Sequence, residues 1–159
     1  MTRRKTRKIP RRRKLRILGI DYGDARVGIA VSDPLLFTAQ GIKTLPNKVF
    51  DKMLLSLDEI YSEYKPEKIV LGFPKNMDGS VGFRGEITLE FKKTLEERYK
   101  NSEVVLYDER LTTVMADRFL SATNTRGSGR KKVIDTVSAA VILQNYLDSE
   151  RNNILKGEK

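Results

Sequence analysis

Two apolar runs, Leu15 to Ile20 and Val27 to Ser32, are separated only by Asp21 and the short turn Tyr22-Gly23-Asp24-Ala25. A parallel crossover needs a dozen or more residues, so these runs pair as an antiparallel hairpin with Gly23 in its turn. Alternation along the first strand puts Leu18 and Ile20 on one face and Ile17 and Asp21 on the other. Asp is disfavoured in strands, and its carboxylate is costly to bury unless something cationic compensates it. Asp21 is therefore the residue in the hairpin that folding alone explains least.

The remaining elements follow in order. Pro34 ends the second strand, and a third, shorter strand covers Ile42 to Leu45 before Pro46-Asn47. From Phe50 to Tyr64 the apolar period becomes helical, with Pro66 just past the end. Lys68 to Phe73 reads as a buried strand, parallel because a helix precedes it. Pro74 to Gly85 is Gly- and Asp-rich and reads as a loop, Glu86 to Tyr99 as a helix, and Glu103 to Tyr107 as the last strand. A helix starting at Thr112 or Thr113, a mobile basic loop over Thr123 to Lys132, and a final helix from about Val133 to Asp148 complete the chain. The pattern predicts one α/β domain over residues 17–150, built on a mixed five-stranded sheet flanked by helices. Strands one to three are antiparallel and strands four and five parallel, and 151–159 reads as a polar tail.

Composition narrows the chemistry. The chain has neither Cys nor His, which excludes zinc sites with those ligands, Ser-His or Cys-His nucleophile pairs, and imidazole acid-base catalysis. Carboxylates, Lys, Tyr, hydroxyls or a hard metal must carry any reaction. The chain carries 31 Lys and Arg against 21 Asp and Glu; ten of the bases, and no acid, fall in residues 1–16, so 17–159 holds 21 of each sign. The basic surplus is thus an arm, expected to be disordered alone and attracted to polyanions by counterion release, while the body is neutral. No apolar run is long enough to span a membrane, and lack of cysteine is compatible with the cytoplasm.

Three groups of acids stand where a fold does not need them. Asp21 ends the first strand, Asp108 and Glu109 end the last, and Asp135 falls in the first turn of the final helix beside Ser138, Ala139 and Ala140. If strands one and five are neighbours, these acids converge at the strand ends, where α/β sheets bind ligands. Like charges that close repel unless a cation lies between them, and carboxylates without imidazole suit one or two Mg²⁺ or Mn²⁺ ions. Each acid also has a plainer role available. Asp135 would favour a helix N-terminus, Asp108 would start a turn, and Glu109 would pair with Arg110. Adjacent strand residues point to opposite faces, so which of Asp108 and Glu109 shares a face with Asp21 stays open. Lys75 and Arg84 in the loop after strand four, Arg26 and Arg110 beside the acids, and Arg126, Arg130, Lys131 and Lys132 in the basic loop are candidate phosphate contacts.

Four stretches in this order resemble the YqgF/RuvX family, Holliday-junction-resolvase-like proteins of the RNase H superfamily. They are Gly19-Ile-Asp-Tyr-Gly with Arg26-Val-Gly-Ile-Ala-Val-Ser-Asp, Leu71-Gly-Phe-Pro-Lys-Asn-Met-Asp-Gly-Ser, Asp108-Glu-Arg-Leu-Thr-Thr, and the run from Lys132-Val-Ile-Asp to Asp148. The resemblance implies an RNase H-like fold and a Mg²⁺- or Mn²⁺-dependent cytoplasmic nuclease processing the 5′ end of pre-16S ribosomal RNA. By the same resemblance Asp21, Glu109 and Asp135 are the catalytic acids, with Asp108 a further metal candidate. The implied partners are the ribosomal RNA precursor or other structured nucleic acid and pre-ribosomal particles, with no membrane, for a monomer or weak homodimer. A Holliday-junction resolvase and a non-catalytic RNA-binding ribosome-assembly factor are the competing readings. The Arg-rich arm is not part of the family core.

Overall fold

A computed structural model of the chain describes residues 15–109, 128–155 and 157, with the side chains of 128–135 left aside. Its five strands are β1 (Ile17–Tyr22), β2 (Arg26–Ser32), β3 (Ala39–Pro46), β4 (Lys68–Phe73) and β5 (Glu103–Asp108). They form one sheet in the order β3-β2-β1-β4-β5. The hairpin is antiparallel as the short turn requires, with Leu18 opposite Val31 and Tyr22 opposite Val27. β2 and β3 are also antiparallel, whereas β1 with β4 and β4 with β5 run parallel. The helix α1 (Phe50–Tyr64) makes the crossover to β4, and α2 (Phe83–Arg98) makes the next.

The sheet is buried on both faces. Leu18, Ile20, Val27, Ile29, Leu45, Ile69 and Leu71 pack under Met53, Leu54, Leu57 and Ile60 of α1 and Phe91 and Leu95 of α2. Ile17, Ala30 and Val70 face the other way, against Ala139, Ile142, Leu143 and Leu147 of the long last helix, α3 (Ser128–Leu155). That helix lies unusually close. A β-carbon on Gly19 would stand 2.8 Å from Leu143 Cβ and 3.0 Å from the Ala139 carbonyl oxygen, so only glycine fits there. Gln144 pins the same helix to the β3 edge, accepting from the Ala39 amide at 2.9 Å and donating to the Phe37 carbonyl at 2.9 Å.

Several boundaries differ from the sequence reading. β1 begins at Ile17 rather than Leu15 and includes Asp21. β3 has eight residues rather than the four of Ile42 to Leu45, because pairing with β2 recruits Ala39, Gln40 and Gly41 despite their weak strand preference. Its register with β2 slips between Ile29 and Ala30, leaving Ile42 bulged. α2 begins at Phe83, three residues earlier than Glu86, because Gly85 packs its first turn against Phe73 and the Pro74 carbonyl. The supposed basic loop is helical from Ser128 onward, and the helix continues past Asp148 to Leu155. Arg and Lys are good helix formers, and a docked helix propagates cheaply into them. Arg16, assigned to the arm, belongs to the body: it donates to the Ser32 carbonyl at 2.9 Å and lies over the Tyr64 ring. Residues 1–14 and the helix expected from Thr112 lie outside the described residues.

The fit of α3 onto β1 sets a direct test. Gly19→Ala forces backbone and Leu143 apart and lowers unfolding stability by about 1–3 kcal/mol. Urea denaturation should show a lower midpoint with an unchanged slope.

Candidate active site

Asp21 is half-buried near the C-terminal end of β1, on the α3 face, since its alternation partners Ile17 and Gly19 pack against that helix. Both flanking strands present glycine beside it. Gly28 of β2 is directly opposite, and Gly72 of β4 comes one residue beyond the Ile20–Leu71 pair. The carboxylate therefore sits in a trough with no neighbouring side chain on either strand at its own level.

Glu109 fills one side of that trough. Its amide donates to the Phe73 carbonyl at 3.2 Å, carrying the β4–β5 ladder one step past the strand end. Val105 and Tyr107 face α3, so alternation places Glu109 on that face and Asp108 on the other. A β-carbon on Gly72 would stand 3.0 Å from Glu109 Oε2 and 2.6 Å from Ile142 Cδ1. The expected adjacency of strands one and five is not how the acids meet. β4 lies between them, and the bare backbone at Gly72 lets Glu109 reach back toward Asp21.

The electrostatics register this proximity. Burial pushes the Glu109 carboxyl up to about 7, and the neighbouring Asp21 carboxylate adds to the rise; Arg84 opposes it and Asp108 adds a smaller push. Arg84, in the first turn of α2, forms an ion pair with Asp24 in the β1–β2 turn. Arg84 thus stands near both Asp24 and the acid pair. Asp24 went unremarked as a functional residue in the sequence, where nothing links positions 24 and 84.

Other candidates are placed less fully. Asp135 is in α3, and its side chain lies outside the described residues. The helix starts at Ser128, so Asp135 is about two turns in rather than in the first turn, and a helix-dipole role does not apply. The next residue, Thr136, has its hydroxyl 2.7 Å from that of Thr44. Thr44 pairs with Gly28, which pairs with Asp21, so this stretch of α3 crosses the sheet at the level of Asp21. Arg26 starts β2 and Lys75 lies in the loop after β4, both half-buried. Arg130, Lys131 and Lys132 are in α3 with side chains outside the described residues, as are Arg110 and Arg126 altogether. Among the described residues no group of three or more potential ligands gathers.

Two hard oxygen donors on one face, one with its carboxyl raised to about 7 by burial and by the other, are of the type that a hard divalent cation takes. Such a sheet, with acids at the C-terminal edge of its first and last strands, defines an RNase H-like domain of the resolvase class. Solved structures agree on the fold. The fowlpox virus resolvase bound to Holliday junction DNA superposes with a TM-score of 0.57 at 14% identity, covering 86% of this chain and 99% of that one. RuvC of Thermus thermophilus gives 0.52 at 12% identity, covering 87% and 97%. A family model described as RuvX, Holliday junction resolvase, matches residues 15–149, and the chain belongs to that family. Relatives named "Putative pre-16S rRNA nuclease" include one from Acetivibrio thermocellus, 48% identical over 86% of this chain and 97% of its own length. Another, from Bacillus subtilis strain 168, is 50% identical over 85% and 99%.

The raised Glu109 carboxyl has a consequence for stability. Its folded value lies above its ordinary 4.5, so the stability it contributes is complete below about 4.5 and is lost as pH rises through about 7. With divalent ions chelated, Glu109→Gln should stabilise the fold at pH 8 by on the order of 2 kcal/mol and leave it unchanged at pH 4. Thermal melts of both proteins at the two pH values check this.

Proposed function

We propose that the chain is a divalent-metal-dependent endonuclease that processes the 5′ end of pre-16S ribosomal RNA in the cytoplasm. The observation that carries this reading is the convergence of Asp21 and Glu109 on one face of the sheet, over Gly72. Nothing in the packing of the core requires two carboxylates there, and their mutual repulsion is relieved when a cation joins them. The names of the relatives supply the RNA, and family membership supplies the reaction class.

Asp21 and Glu109 would hold Mg²⁺ or Mn²⁺, with Asp135 of α3 as the third acid, since α3 crosses the sheet at the level of Asp21. One or two such ions supply Lewis-acid polarisation of the phosphodiester and a water made nucleophilic at neutral pH. The protein's own part is to fix the acids before substrate arrives. Gly72 admits the Glu109 side chain, and the Glu109 amide ties its backbone to Phe73. Arg84, with Lys75 and Arg26, meets the phosphate backbone as positioning charges. Arg130, Lys131, Lys132, Arg110 and Arg126 are further candidate phosphate contacts.

The family description favours a second substrate, a four-way DNA junction. Competition between pre-16S ribosomal RNA and a synthetic junction separates the two, with symmetric nicking of the junction marking a resolvase. A non-catalytic assembly factor would bind the RNA without turnover in either metal.

Asp21→Asn should lower Mg²⁺- or Mn²⁺-dependent cleavage of the RNA precursor by more than about 100-fold. The variant should stay folded, because removing one carboxylate relieves the other. Undiminished cleavage by the pure variant rejects the assignment. Gly72→Ala, whose methyl would displace the Glu109 carboxylate, should lower cleavage by at least about tenfold, for a loss of stability of about 1 kcal/mol. A cleavage assay beside a urea titration distinguishes that from simple unfolding.

A further inference from the structure

The loop between β4 and α2 and the first residue of α2 expose apolar side chains on the segment that carries Arg84. Met77 is 91% exposed, Phe83 75% and Val81 46%. Single exposed apolar residues are ordinary on protein surfaces, but these three fall within seven residues, two in the loop and one at the helix start that follows it, and that loop is held in shape. The Asn76 amide donates to the Ser80 carbonyl at 2.9 Å, and the Gly79 amide to the Asn76 carbonyl at 2.8 Å. The Ser80 amide donates to Asp78 Oδ1 at 2.9 Å, and Asn76 Nδ2 to Ser80 Oγ at 3.0 Å. At the far end, Gly85 is buried against Phe73 and the Pro74 carbonyl, which anchors the first turn of α2 to the end of β4.

Charge surrounds the same loop. Lys75 precedes Met77, and Arg84 follows Phe83 directly, close enough to Glu109 to influence its protonation. A segment that combines an exposed aromatic ring at a helix start, a thioether and two cations beside the acid site matches a nucleotide with its base unpaired. The cations meet the phosphates, and the ring offers a face that any base can stack on. A peptide or lipid partner would use the apolar atoms but would leave the pairing of cations with this acid site unexplained.

We infer that Phe83 at the start of α2, with Met77 in the loop that precedes it, is a stacking platform for an unpaired RNA base next to the scissile phosphate. It makes the enzyme selective for single-stranded segments over continuous duplex. This inference rests on the proposed nuclease reading. In a duplex every base is already stacked on its neighbours, so the platform offers it nothing.

The test is binding of the full chain, with EDTA present, to a short single-stranded RNA carrying one 2-aminopurine and to the matching duplex. Phe83→Ala should weaken binding of the single strand about tenfold and abolish the fluorescence quench of the stacked 2-aminopurine. Phe83→Trp should retain both, Met77→Ala should give a smaller loss, and duplex affinity should stay the same in all three variants. Equal losses on single strand and duplex, or an unchanged quench in Phe83→Ala, overturns the platform. Because binding is read without metal, the result does not depend on cleavage. If wild-type protein shows the Phe83-dependent quench but never cuts RNA, the nuclease reading fails and the platform stands.

Discussion

Helix α3 rests on the sheet at a distance that a single methyl group at Gly19 would forbid, and the geometry of the acid site follows from that closeness. A helix held farther out would leave Asp21 open to solvent and remove the apolar cover that Ile142 provides over Gly72. Because α3 lies so near, the trough between Gly28 and Gly72 is narrow, and Glu109 enters it beside Ile142 rather than extending into water. The cross-link between Thr44 and Thr136 fixes where along the sheet the helix crosses. It does so in the row of residues that contains Asp21.

The same closeness creates the electrostatic conflict. Glu109 loses hydration, and Asp21 lies near enough to raise its carboxyl further, toward neutrality. A protein selected only for stability would remove one of the two acids, since an apolar or amide side chain would suit that position better at neutral pH. Under the proposed function, a bound cation is what offsets that cost. Elsewhere the molecule handles its charges conventionally. Asp58, for example, accepts from Arg98 Nε at 2.7 Å and from the Tyr99 hydroxyl at 2.6 Å, and its carboxyl lies below the ordinary range for that reason.

Much of this was legible in the residues. The hairpin follows from a turn too short for any other connection, and α1 and β4 have the bounds that their apolar patterns give. Asp21 stood out because nothing in a strand wants a carboxylate there. Less legible was everything that depends on which strands lie side by side. Spacing along the chain says that β5 is parallel to β4 but not that β4 separates it from β1, so adjacency of strands one and five is the wrong reason for Asp21 and Glu109 to meet. The role of Gly72 was hidden likewise, because a glycine in a strand reads as weakness until a side chain from the next strand is seen to cross it. β3 was underestimated where a bulge at Ile42 breaks the two-residue period, and the start of α3 was missed because Gly127 and Gly129 look like loop residues.

Arg84 ties the two halves of the argument together. Its pair with Asp24 is exposed on both sides, with side-chain exposures of 49% and 73%, and exposed ion pairs contribute only about 0–1 kcal/mol. Exchanging Asp24 for an incoming phosphate would therefore cost little, and the guanidinium is already near enough to influence Glu109. In the free protein Arg84 offsets part of the repulsion between Asp21 and Glu109. Under the proposed function, acids that hold a cation would no longer need that offset, and Arg84 would be available to the phosphate backbone.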